Sequence, residues 1–197
     1  MAFASEDDLE QWALGELQDL GFQYLHGSAL SPEADNPVRD SFHDVLILGR
    51  LDAAIRRLNP HLPDDAVRTA LNEIRDTKFA GDLLSENRRI HGLVTGGVPV
   101  SWFEGGEERN AIARLVDWDN KDNDWLVVNQ FEVVGKSARR TDVLIFLNGM
   151  PIIVVELKGT QTGQLEALQV ELEQTRLLAA ELLARVEAAD RKLAGLQ

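Results

Sequence analysis

The sequence predicts a mixed α/β (α+β) fold, a sheet flanked by helices, with a coiled-coil helix at its C-terminal end. Three observations predict it. Apolar residues recur at helical spacing from Leu9 to Ile74, short β-rich runs separated by Gly, Asp and Asn begin after Gly96-Gly97, and a helical pattern without proline resumes at Gln161. With 197 residues, 44% of them hydrophobic, the chain can bury one good core, and its length allows one domain plus an appendage.

Ser5 and Asp8 resemble a capping box, and Leu9, Trp12, Ala13, Leu17 and Leu20 follow at helical spacing as far as Gly21, which predicts an amphipathic first helix. A short strand is expected from Phe22 to Leu25, then a loop rich in Ser, Pro, Asp and Asn up to Pro37. Val45, Leu48, Leu51, Ile55 and Leu58 mark a second helix stopped by Asn59-Pro60, and Val67, Leu71 and Ile74 a third. Further helical turns are expected between Asp82 and His91. The runs Val98 to Phe103, Ala111 to Trp118, Trp125 to Val134, Thr141 to Leu147 and Ile152 to Leu157 are expected strands of a sheet. Pro151-Ile152-Ile153-Val154-Val155 is apolar on both faces, which predicts a central strand covered on each side by helices. Leu165, Leu168, Leu172, Thr175, Ala179, Leu182, Val186, Ala189, Leu193 and Leu196 fall on alternating steps of three and four, a heptad seam. The expected organisation is a domain over 1–158 and a coiled-coil tail over 159–197, which joins two chains most simply as a parallel homodimer.

Composition narrows the chemistry. There is no cysteine, so a bound metal must sit on oxygen or imidazole, which favours a hard cation such as Mg²⁺ or Mn²⁺. The four histidines are scattered without zinc spacing. The N-terminus has no basic region followed by an apolar core, and no stretch is apolar enough to span a membrane, so the chain reads as cytoplasmic with no membrane partner. Net charge is -13, with 33 acidic against 20 basic residues, which argues against a general, salt-driven grip on nucleic acid.

The informative segment runs from Arg139 to Lys158. Asn148-Gly149 between two apolar strands is a hairpin signal. With a two-residue loop Asp142 opposes Val155; with a three-residue loop, or a bulge of equal effect, Asp142 lies opposite Glu156. Lys158 then shares that face, two residues on. Two adjacent carboxylates repel unless a divalent cation neutralises them. A hard cation on Asp142 and Glu156 beside the Lys158 amine suits hydrolysis of a phosphodiester. The competing reading makes Asp142 a strand cap and Glu156 with Lys158 an exposed ion pair. Spacing alone leaves both open.

The chain resembles the N-terminal nuclease domain of the endonuclease (R) subunit of type I restriction enzymes, in the PD-(D/E)XK nuclease superfamily. Arg140-Thr141-Asp142, Asn148-Gly149-Met150-Pro151 and Glu156-Leu157-Lys158 follow that family's run, with Thr141 where proline is usual. Leu58-Asn59-Pro60, Asn87, Val116-Asp117-Trp118, Asn123 and Val127-Val128-Asn129-Gln130-Phe131 resemble it in order and spacing. The resemblance implies a restriction-endonuclease-like fold, Asp142 and Glu156 as metal ligands, Lys158 as the catalytic lysine and Glu10 as a further carboxylate. Lys136, Arg139 and Arg140, the tight basic cluster, would meet DNA phosphates.

Two departures bear on activity. The family's Gln-x-x-x-Tyr motif is incomplete, with Gln164 present but Leu168 in the tyrosine position. The family's ATP-driven motor has no counterpart in this sequence, and Gly135-Lys136-Ser137 only mimics the end of a phosphate-binding loop, so no ATPase is expected. The expectation is a Mg²⁺-dependent DNA endonuclease domain of a restriction-modification system, with DNA and the modification and specificity subunits as partners. The alternative is a weak or inactive nuclease-like module acting through its tail in assembly of, or interference with, a restriction complex.

Overall fold

Ser5 Oγ accepts the Asp8 amide at 3.2 Å and donates to the Asp8 carboxylate at 2.9 Å, so helix α1 (Glu6–Asp19) starts at the expected cap. It ends on a Schellman motif. The Phe22 amide donates to Leu17 O and the Gly21 amide to Gln18 O, with Gly21 at φ 92. These features belong to a computed structural model that describes residues 5–78, 81–119 and 122–158. The expected coiled coil lies outside those residues. The chain divides into two units, Trp12–Glu156 and the flanking Met1–Gln11 with Leu157–Gln197.

After α1 come strand β1 (Gln23–His26), a 3-10 turn (Gly27–Leu30), α2 (Leu48–Leu58), α3 (Asp64–Arg75), α4 (Leu83–Gly96), and strands β2 (Val98–Glu104), β3 (Glu107–Ala113), β4 (Trp125–Val134), β5 (Ala138–Leu147) and β6 (Met150–Val155). The strands form two sheets: a four-stranded one in the order β1-β4-β5-β6, and the separate hairpin β2-β3. β1 runs parallel to β4, and the other neighbours are antiparallel.

Two expectations give way. The strand read from Ala111 to Trp118 is shifted upstream. Gly105 and Gly106, both at positive φ, close a two-residue turn that pairs Glu104 with Glu107, so the polar run Glu107-Glu108-Arg109-Asn110 becomes strand. Apolar content was the wrong guide there, because both faces of that segment are solvated. The run Pro151 to Val155, expected to be central, is the edge strand β6, with Ile152, Ile153 and Val154 all more than 40% exposed. The centre belongs to β4 and β5. Leu126, Val127, Val128, Val143 and Phe146 are fully buried there, and burial on both faces is what a continuous apolar run reports in a central strand.

Two clusters make the core of the main unit. One gathers Leu51 and Ile55 of α2, Val67 and Ile74 of α3, Val98 and Val100 of β2, and Leu147 and Met150 at the β5–β6 turn. The other joins Leu30, Ile47, Leu126, Val128, Phe131, Leu144 and Phe146. Among the described residues, no helix is long and apolar enough to cross a membrane.

Candidate active site

The β5–β6 turn is two residues long, Asn148 (φ 52) and Gly149 (φ 83), and Leu147 pairs with Met150. Left uncorrected, that register would set Asp142 against Val155. A bulge intervenes. Phe146 pairs with Pro151 but Ile145 with Ile153, so Ile152 is an extra residue and the strands slip by one. From there the register is Leu144–Val154 and Val143–Val155, and its next step sets Asp142 opposite Glu156. β6 ends at Val155, one residue before Glu156; Val143 is fully buried, Asp142 half-buried and Glu156 exposed. Asp142 and Glu156 are both oxygen donors, the chemistry a hard cation takes.

The same row continues across the sheet. Asn129 pairs with Val143 and Phe131 with Thr141, so Gln130 stands across from Asp142. His26 pairs with Asn129, which brings Gly27 beside Gln130. Gly27, Gln130, Asp142 and Glu156 thus form one transverse row. Gln130 is at φ 53, and a Cβ on Gly27 would come within 2.3 Å of the Gln130 carbonyl oxygen. Nothing in the sequence pattern announces either constraint.

The other expected site residues fall as follows. Glu10 lies on α1 and is 7% exposed; Lys158 is exposed beside buried Leu157. Both belong to the flanking unit. Lys136 sits in the turn between β4 and β5, where the Gly135 amide donates to Ser137 O, and β5 rather than a helix follows it. Arg139 and Arg140 are exposed on β5, facing Val133 and Glu132. Among the described residues, no three His, Cys, Asp or Glu side chains form a group able to hold a metal, so a cation on Asp142 and Glu156 would draw on other oxygens.

Several residues have structural roles that the sequence did not separate from functional ones. Asn148 is fully buried. Its Oδ1 accepts the Asp124 amide at 2.8 Å, and its Nδ2 donates to Leu115 O and to Asn123 Oδ1, each at 2.9 Å. Asn123 in turn donates to Asp117 O and accepts the Asp117 amide. Asn59 donates to Ile55 O and Arg114 O and accepts the Arg114 amide. Asn59 thus ties the end of α2 to Arg114, and Asn123 with Asn148 ties the segment before β4 to the β5–β6 turn. Arg39, missed by sequence reading, is 3% exposed, donates to the carbonyls of Leu30, Asp44 and Glu132, and stacks 4.0 Å over the Phe131 ring. Burial pushes its guanidinium below the ordinary arginine value, opposed in part by Asp44 and Glu132. A cavity of about 340 Å³ lined by His61, Thr95, Arg114 and Trp118, among others, contains none of the expected site residues.

Residues 3–178 match the family described as the type I restriction enzyme R protein N terminus. The HindI endonuclease subunit of a type I restriction enzyme from Haemophilus influenzae is 33% identical over 168 residues, 84% of this chain. A Methanocaldococcus jannaschii protein, provisionally named the MjaIXP endonuclease subunit of such an enzyme, is 30% identical over 161 residues, 79% of the chain. The chain spans 16% and 15% of those relatives' lengths. The EcoprrI endonuclease subunit of Escherichia coli is 27% identical over 160 residues, 80% of the chain and 45% of its own length.

Proposed function

This chain belongs to the type I restriction enzyme R protein N-terminal family, and we propose that it is a Mg²⁺- or Mn²⁺-dependent DNA endonuclease domain whose metal ligands are Asp142 and Glu156. The observation that supports the proposal is the register after the Ile152 bulge, which pairs Val143 with Val155 and whose continuation would bring Asp142 opposite Glu156, where core meets solvent. Two carboxylates side by side at such a boundary repel each other, and a divalent cation relieves that cost. A bound hard cation would polarise a phosphate oxygen and acidify water. Asp142 and Glu156 would hold it, the remaining positions being filled by other oxygens. Lys158, assigned by resemblance, would stabilise charge developing on the phosphate. Lys136, Arg139 and Arg140 would meet flanking phosphates along the β4–β5 hairpin.

The test is nicking of supercoiled plasmid in Mn²⁺. Asp142→Ala and Glu156→Ala should abolish it, and Lys158→Ala should reduce it steeply while leaving Mn²⁺ binding nearly unchanged. Cleavage that survives either carboxylate substitution overturns the assignment. The net charge of -13 and Leu168 in place of tyrosine favour a second reading, an assembly module for a restriction complex. That reading predicts no nicking by the unaltered chain, and a heptad tail that self-associates. Light scattering on the full chain and on one ending at Thr160 checks the latter: a monomer in both forms at high micromolar concentration refutes self-association.

A further inference from the structure

Gln130 is one of two non-glycine residues with positive φ among the described residues; the other, Asn148, sits in a tight turn where such a backbone is usual. Gln130 instead lies inside a ten-residue strand, where left-handed backbone costs roughly 1–2 kcal/mol and persists only if its surroundings enforce it. Gly27 is packed directly against it. Its lack of a Cβ lets the end of β1 approach the Gln130 carbonyl to a distance no other residue would allow.

The consequence is a break in the side-chain alternation of β4. Phe131 pairs with Thr141, and Phe146 pairs with Leu126, five positions further along the strand. Five is odd, so in a regular ladder with alternating side chains the two rings would stand on opposite faces. Yet the Phe131 and Phe146 rings meet edge to face at 5.4 Å, and both belong to the same core cluster as Leu126, Val128 and Leu144. The side-chain alternation of β4 is therefore reset between Val128 and Phe131, at the left-handed residue Gln130. Register pairs continue on either side of Gln130 without an inserted residue, so the reset comes from its backbone. Asp142 is the residue across from it. Position 142 therefore faces the left-handed residue of β4 on one side and the register position of Glu156 on the other.

We propose that Gln130 is a positioning residue: its left-handed backbone, wedged against Gly27, resets β4 at the carboxylate row and thereby sets where Asp142 stands relative to Glu156. This rests on the reading of that pair as a cation site. The role belongs to the backbone, so residues that accept positive φ preserve it and residues that refuse it do not. Gln130→Gly and Gln130→Asn should leave Mn²⁺ affinity within about twofold of the unaltered chain, since both tolerate left-handed backbone. Gln130→Val and Gly27→Ala should weaken it at least tenfold, the first because a β-branched residue resists positive φ, the second by displacing the Gln130 carbonyl.

Calorimetric titration with Mn²⁺ supplies the affinities, and circular dichroism checks that each variant is folded. The amide resonances of Asp142 and Glu156 report position without metal. They should shift in Gln130→Val and Gly27→Ala and stay near their original values in Gln130→Gly and Gln130→Asn. If Gly27→Ala fails to fold, Gln130→Val carries the test alone. Folded Gln130→Val with unchanged resonances at Asp142 overturns the positioning role, whatever the metal does. An unaltered chain that binds no Mn²⁺, while its resonances still follow the expected pattern, overturns the cation site and leaves the reset standing. A merely structural reset would lower the stability of Gln130→Val and leave both the affinity and the Asp142 resonance where they were.

Discussion

At the scale of single residues, the family resemblance marks positions without saying why they matter, and their contacts divide them into two kinds. Asp142 and Glu156 stand at the rim of the core with chemistry to offer. Asn59, Asn123 and Asn148 do not; their amides are consumed in holding backbone. Asn148 makes the sharper test, because it answers two demands, a left-handed turn residue and a buried donor–acceptor. Asn148→Ala should lose roughly 3 kcal/mol or more, since the Leu115 carbonyl, the Asp124 amide and Asn123 would be left without that partner at about 1–3 kcal/mol each. Asn148→Gly keeps the turn and removes only the amide. Urea unfolding of the two separates the demands: a Gly variant as stable as the unaltered protein would mean that the turn alone matters.

At the scale of elements, α4 is a helix without a buried residue, so its start depends on its cap. Asp82 accepts the Leu84 and Ser85 amides at 3.1 Å, and the Ser85 hydroxyl donates to it as well. The Ser85 side-chain bond first, then the backbone bonds, hold the Asp82 carboxyl below its ordinary value. A lowered carboxylate contributes stability that is present above its unfolded pKa and is lost as pH falls through the folded one. The Leu84 and Ser85 amide resonances should therefore move away from helical values below about pH 4, and Asp82→Asn, an equally good cap that does not titrate, should abolish the movement. An identical pH response in Asp82→Asn would assign it elsewhere. Most of these elements were legible in the sequence because α1, α2 and α3 each carry a local 3.6-residue stripe and the hairpin turns their glycines. Their neighbours were not. The apolar run at Pro151 to Val155 says what a strand could bury, but strand order is a long-range property, and a hairpin from β5 with β4 on the far side leaves β6 at the edge. The Ile152 bulge shows the same limit. The sequence admitted a two-residue loop, a three-residue loop or a bulge, and only the pairing distinguishes them.

At the scale of the whole molecule, a net charge of -13 must be reconciled with the polyanionic substrate we propose. Long-range attraction is unfavourable, so binding has to come from local contacts made after close approach. Lys136, Arg139 and Arg140 line the exposed β4–β5 hairpin that leads down to Asp142. If these three cations make the phosphate contacts, few counterions are released. The slope of log affinity against log salt for duplex DNA should then be roughly -3, from about 0.9 per contact. That is shallow beside the slope near -10 of a protein with many contacts. Replacing all three by glutamine should flatten the slope nearly to zero and weaken binding at low salt, while Mn²⁺ affinity at Asp142 and Glu156 stays the same. Fluorescence anisotropy with a labelled duplex, from low to physiological salt and with Ca²⁺ in place of Mn²⁺ to prevent cleavage, measures it. A slope steeper than about -6 that the triple substitution leaves untouched would assign DNA binding to another surface, and the hairpin would be ordinary solvated charge.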